Sequence, residues 1–255
     1  MSSLFALLTP VELSLALLLA LIAGTVKGVV GFALPMVLVS GLGTFMAPDL
    51  ALAGLILPTL VANGMQALRQ GPRAAWASMR EFRVFLGVGL VFLLASAQMV
   101  RLVPMDVLLL MIGIPVTGFA LVQLAGVMLR FAARTPRIEA AFGAFAGAIG
   151  GFSGIWGPPT VVFLTALGLP KREHIRVQGV VYALGSVALL GAHVGSGVMR
   201  AETVPFSLLL VAPAALGMWI GGRLHDRIDQ ETFRRATLLV LLVAGLNLLR
   251  RGLMG

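Results

Sequence analysis

Apolar residues run through this chain in stretches of about twenty, and the charged residues fall almost entirely in the gaps between them. A polypeptide with that pattern cannot solvate a globular surface. Hydrophobic residues make up 59% of it and charged residues 11%, which leaves a polytopic membrane protein as the class. The expected fold is all-α, because a helix satisfies its own backbone hydrogen bonds in hydrocarbon.

Two of the apolar stretches are unusual. AFAGAIGGFSGIWGPPTVVFLT, from Ala144 to Thr165, holds five glycines and two adjacent prolines, residues that disfavour an uninterrupted helix. LIAGTVKGVVGFALPMVLV, near the amino terminus, repeats it: an offset of 123 residues puts Gly24 on Gly147, Gly28 on Gly151, Gly31 on Gly154 and Pro35 on Pro158. Broken backbone inside a membrane is tolerated where it is packed in protein or lines a polar cavity, so both breaks are candidate transport sites.

The remaining apolar segments, at about 50–68, 84–100, 107–129, 177–199, 205–222 and 236–249, are each long enough for one crossing. The chain therefore reads as two membrane repeats, residues 1–130 and 131–255, each a broken or hairpin element followed by three transmembrane helices. If each broken stretch returns to the side it entered, 14 Lys and Arg residues fall on the cytoplasmic side, in the gaps around Arg69 to Arg83, Arg130 to Arg137, Lys171 to Arg176 and Arg223 to Arg235. Four remain outside, namely Arg101, Arg200, Arg250 and Arg251. That count makes the repeats opposite in orientation, as in many secondary transporters.

The formal charge of +9 is thus explained as a topology signal and implies no nucleic-acid partner. The absence of cysteine and the scatter of His174, His193 and His225 offer no metal site, and no cofactor is expected. The first 26 residues lack Lys and Arg, so no cleavable signal is expected.

Lys27 is the one charged residue well inside an apolar stretch, with no acid in reach in its own segment. It either snorkels or faces an anion. Prolines just after the glycine breaks suit the first turn of a resuming helix, whose free N–H groups and positive dipole end would also favour an anion. Gly28, Gly31 and Phe32 at the first break, and Gly151, Ser153, Gly154, Trp156, Gly157 and Pro158 at the second, are the expected substrate-binding positions around it. Polar residues on the following segments add to them. Thr59, Asn63, Gln66 and Gln70 share one helical spacing, and Gln178, Tyr182, Ser186 and His193 share another, with Asn63 on Ser186 at the repeat offset. Each such residue could equally be interhelical glue. All ten acids lie at segment ends or in gaps, which disfavours a buried carboxylate relay.

Two rivals stand beside the anion reading. One is a permease of the same fold for a neutral or hydrophobic substrate, with Lys27 structural. The other is a rhomboid-like intramembrane serine protease, in which Ser153 of the GxSG sequence Gly151–Gly154 would be activated by His193.

The patterns Gly24-x3-Gly28-x2-Gly31-Phe32, Arg69-Gln70-Gly71, Gly150-Gly151-x2-Gly154-x2-Gly157-Pro158-Pro159 and Gly217-x3-Gly221-Gly222-Arg223 resemble those of the sulfite exporter TauE/SafE family of membrane permeases. The resemblance spans nearly the whole chain. It departs at Ala33-Leu34, where many members have further glycines, and at Phe163, where a tyrosine is frequent. It implies a multi-pass protein of the bacterial cytoplasmic membrane, with the lipid bilayer and a small anion as partners: sulfite, an organosulfonate or a related organic anion. Alternating access between the two broken elements is the expected mechanism.

Overall fold

The structure, a computed structural model, describes residues 8–98, 104–127, 130–131, 133–153, 157–195, 199 and 201–254. These residues form eleven helices and no strand. In chain order they are α1 Pro10–Val30, α2 Leu34–Leu42, α3 Pro48–Leu68, α4 Pro72–Glu81, α5 Arg83–Gln98, α6 Met105–Leu124, α7 Pro136–Ser153, α8 Gly157–Ala166, α9 Lys171–Gly195, α10 Val204–Arg227 and α11 Gln230–Met254. Pro10–Val30, Leu50–Leu68, Val204–Arg227 and Gln230–Met254 are long and apolar enough to cross a membrane, and Arg83–Ser96 and Leu109–Leu124 are shorter apolar helices. Large apolar side chains such as Leu18, Leu90, Ile114, Val187 and Val243 face outward, as a lipid-facing surface requires.

The chain divides into two compact units, and both take residues from each half of the sequence. The first comprises residues 1–69 and 179–229, and the second 70–178 and 230–255.

In the first unit, α1 begins with a capping box: Glu12 N–H donates to the Thr9 hydroxyl, and the Glu12 carboxylate accepts from Thr9 N–H. It ends at Gly31, whose φ of 86° no β-carbon would favour and whose N–H caps the Lys27 carbonyl at 2.7 Å. After Phe32 and Ala33 the chain resumes as α2, with Pro35 in its first turn as expected. Helix α2 runs back along α1, since a β-carbon on Gly41 would meet the Leu19 side chain, and Leu8, Leu42 and Met46 share one core cluster. The first broken element is therefore a hairpin, about 32 Å on the way in and about 14 Å on the way back at 1.5 Å per residue. Its outer helix packs on α10 through small residues. A β-carbon at Gly24 would strike the Ala214 carbonyl group, and one at Gly217 the backbone of Leu21 and Thr25. Pro58 inside α3 disturbs the backbone ladder, and the nearby Leu57 N–H donates to the buried Ser207 hydroxyl of α10 at 3.1 Å.

The second unit uses the same construction. Helix α7 packs on α5, where a β-carbon at Gly147 would strike the Gly89 backbone and one at Gly143 the backbone of Phe85. Helix α8 resumes at Gly157 with Pro158 and Pro159 in its first turn, and Phe131 N–H donates to the Ala166 carbonyl at 2.9 Å. The end of α8 therefore lies beside the residues that lead into α7. Phe163 is wholly buried, stacked on Phe85 at 5.0 Å and Phe142 at 5.2 Å. Helices α6 and α11 pair through Gly113, Gly245 and Gly252.

The arginine-rich gap after α3 is not a plain loop. Residues 72–81 form α4, a short helix with Trp76 exposed and Arg80 over its ring at 5.4 Å, a pattern suited to the membrane surface.

Candidate functional site

Within the first unit, the polar candidates gather where the hairpin turns. Lys27 lies one turn before the end of α1 and is only 1% exposed. Its stem does not carry the ammonium to the surface. Nζ donates to the Gly31 carbonyl at 3.3 Å and lies 5.5 Å from the centroid of the Tyr182 ring on α9. A long hydrogen bond and one aromatic face are weak compensation for a desolvated cation with three donors. Among the described residues no carboxylate pairs with Lys27. Phe32 and Gly31 are buried beside it in the break, and α2 starts at Leu34, with Ala33 at its N-cap making no side-chain capping bond.

The next layer joins α3 to α9. Asn63 Nδ2 donates to the Ser186 hydroxyl at 2.5 Å and to the Tyr182 carbonyl at 3.2 Å, while Ser186 Oγ donates to the same carbonyl at 2.7 Å. Asn63 and Ser186, equivalent at the 123-residue offset, thus bond each other. Gln66 is buried on the same helix, and a β-carbon at Gly179 would meet the Ala67 N at 2.5 Å, so α3 and α9 cross in close backbone contact there. The Thr59 hydroxyl, one turn before Asn63, is buried with no hydrogen-bond partner among the described residues.

Other expected site residues have different settings. Gly28 is occupied by helix packing: a β-carbon there would fall 2.8 Å from the Gly222 N of α10. Gln70 lies beyond the end of α3 rather than on its polar face, because Arg69 closes the helix and Gly71 turns the chain at φ 89°. In the second unit Gln70 instead donates to the Arg172 carbonyl at 2.6 Å and accepts from Arg176 at 2.6 Å. Gly151 lies near the end of α7, Gly157 and Pro158 open α8, and Gln178 is fully buried on α9. Gly154 and Trp156 lie outside the described residues, as do the side chains of Ser153 and His193. Glu139 is buried, yet it sits in the first turn of α7 and pairs with Arg134 at 3.1 Å, so it remains a helix-end residue.

Two features were not singled out in the sequence. Arg69 bridges to Asp226 at 2.7 Å and to the Gly222 carbonyl at 3.0 Å, and His225 Nδ1 lies 3.0 Å from the Val29 carbonyl. Both tie the end of α10 to neighbouring helices just beyond the break. Asp226 is separated from Arg69 by 157 positions, so no local pattern announces the pair.

Apolar helices with lipid-facing exteriors, two glycine-and-proline breaks and a buried polar layer beside one of them define a multi-pass integral membrane protein. The chain belongs to the sulfite exporter TauE/SafE family, whose model matches residues 16–248. It is, with that family, a membrane transporter. It matches neither a curated protein nor a solved structure.

Proposed function

We propose that the protein moves a small anion, sulfite or an organosulfonate in the first instance, across the bacterial cytoplasmic membrane, and that the anion binds at the first break. The observation that carries this reading is the enclosed Lys27 ammonium, held by one carbonyl at 3.3 Å and one aromatic face and facing no carboxylate among the described residues. An incoming anion supplies the missing counter-charge. The uncapped start of α2, three residues beyond Gly31, adds backbone donors on the same side of the break. Asn63, Gln66, Tyr182 and Ser186 provide the polar layer behind it.

The opposed orientation of the two repeats, and alternating access between their breaks, belong to the same proposal. They are supported by the hairpin form of α1–α2, by the return of α8 toward the start of α7, and by the mutual hydrogen bond of Asn63 and Ser186, which repeat-equivalent residues make when they meet near a two-fold axis. With the cell interior negative, export of an anion runs downhill, by about 2.3 kcal/mol per charge per 100 mV. The ten acids at segment ends leave no evident relay for a coupling ion, so facilitated export is the proposed direction.

Titration of purified protein with sulfite, taurine-like sulfonates, sulfate and carboxylates tests the site. Loss of a charge-assisted contact worth ~1.5–3 kcal/mol corresponds to roughly 10- to 100-fold weaker binding in Lys27→Met. The variant should still fold, because the substitution removes a buried charge. Unchanged anion affinity in a folded Lys27→Met would return Lys27 to a structural role and favour a neutral substrate.

A further inference from the structure

The second unit contains a cavity of about 330 Å³ that the break does not use. It lies where the loop after α8 meets the end of α6 and the start of α11, and Arg130, Thr165, His174, Gln230, Arg234 and Thr237 are among its lining residues. Its walls are tied together: Gln230 accepts from Lys171 N–H at 2.8 Å and donates to the Leu169 carbonyl at 3.1 Å, and Arg234 donates to Gln123 at 3.2 Å. The volume falls in the range of pockets that hold small molecules.

The charge in this cavity is unbalanced. Among the described residues its one carboxylate, Glu231, is already shared between Arg234 at 3.0 Å and Arg235 at 2.9 Å. Arg130 pairs with no carboxylate among the described residues, and its guanidinium lies against Gly168 of the loop. The Thr165 and Thr237 hydroxyls are both more than nine-tenths buried on the cavity wall and have no hydrogen-bond partner among the described residues. A fork of guanidinium donors with two idle hydroxyls is the donor set that a tetrahedral oxyanion accepts from.

We propose that this cavity is a second anion site, separate from Lys27, that binds a tetrahedral oxyanion of the sulfate or phosphate type, either free or carried on the headgroup of an anionic lipid. Arg130 supplies the uncompensated charge, and Thr165 and Thr237 supply neutral donors deeper in the wall. The site has no counterpart at the first break, where the donor set is an ammonium and amides.

Calorimetric titration of the detergent-purified, delipidated protein with sodium sulfate, sodium phosphate and short-chain phosphatidylglycerol tests it, in wild type, Lys27→Met, Arg130→Gln and Thr237→Val. Saturable binding of a free oxyanion that survives Lys27→Met and weakens tenfold or more in Arg130→Gln supports the site with a free ligand. The same Arg130 dependence seen only with phosphatidylglycerol supports it with a lipid headgroup as the ligand. Arg130 is exposed, so its variant should keep the wild-type melting temperature even if Thr237→Val does not. No binding of any of the three probes to wild type, binding abolished by Lys27→Met alone, or binding indifferent to Arg130→Gln overturns the proposal.

Discussion

Replacing Gly147 by alanine should loosen the second unit, although alanine is the better helix former. Between α7 and α5 the new β-carbon would lie 2.8 Å from the Gly89 carbonyl carbon and 2.9 Å from its Cα, with the carbonyl oxygen closer still. Carbon atoms in contact rest near 3.5–4.0 Å, so the two helices must part by roughly 1 Å. The obstructing atoms are backbone, and no rotamer change can relieve them. Overpacking of this kind costs about 1–3 kcal/mol, while the helix propensity of alanine over glycine returns at most about 1 kcal/mol. Gly118, in the middle of α6 with nothing within 4 Å of a β-carbon, isolates the second effect. Gly118→Ala should therefore be neutral or stabilising, and Gly147→Ala destabilising by up to about 2 kcal/mol net. Gly24→Ala, against the Ala214 backbone, should behave like Gly147→Ala in the first unit. The assay is the midpoint of denaturation by dodecyl sulfate in mixed micelles, compared with wild type. A Gly147→Ala protein as stable as Gly118→Ala would refute the packing argument.

Three further outcomes are expected. Single cysteines placed at Arg172 or Arg227 of this cysteine-free chain should resist a membrane-impermeant thiol reagent in intact cells and react after permeabilisation; external labelling at either would overturn the opposed-repeat arrangement. Asn63→Leu should lower stability by about 0.6–1.7 kcal/mol through loss of the bonds to Ser186 and Tyr182, and Ser186→Ala should add little to it; full additivity would mean that the pair does not act as a unit. In proteoliposomes preloaded with the transported anion, an inside-negative potential of 100 mV should shift the equilibrium distribution of a monovalent anion outward by about 50-fold without any Na⁺ or pH gradient. A strict requirement for an ion gradient would exclude uncoupled export.

The breaks were legible because their causes are local. Glycine at 31 and proline at 35, 158 and 159 act through their own dihedral angles and missing donors, and the helices stop and resume around them. The buried stripes were legible for a related reason, since spacing alone puts Asn63 and Gln66, or Tyr182 and Ser186, on one face. Gln70 shows the limit: its spacing continues the stripe, but the helix closes at Arg69 and Gly71 turns the chain, and arginines a hundred residues away claim its side chain. The arginine-rich gap hid α4, because its charges mark a membrane surface whether or not the backbone there is helical. The cavity around Arg130 had no sequence signal. It is assembled from the ends of four helices, and its idle hydroxyls belong to two threonines that look like ordinary core residues in an apolar run.

The partnership of α1 with α10 bears on how the protein is made. Gly24 and Gly28 enter the bilayer early in translation, but the backbone they are shaped to meet, at Ala214 and Gly222, emerges from the ribosome 190 and 194 residues later. Until then the first hairpin carries its buried lysine through the membrane without its permanent neighbour. The second hairpin has no such delay, because α5, against which Gly147 packs, precedes it. The pairing of α5 with α7 can therefore form before that of α1 with α10, although the second unit is completed only by α11, the last helix to emerge. A nascent chain stalled before α10 should expose its amino-terminal hairpin to membrane proteases while α5 and α7 are already joined.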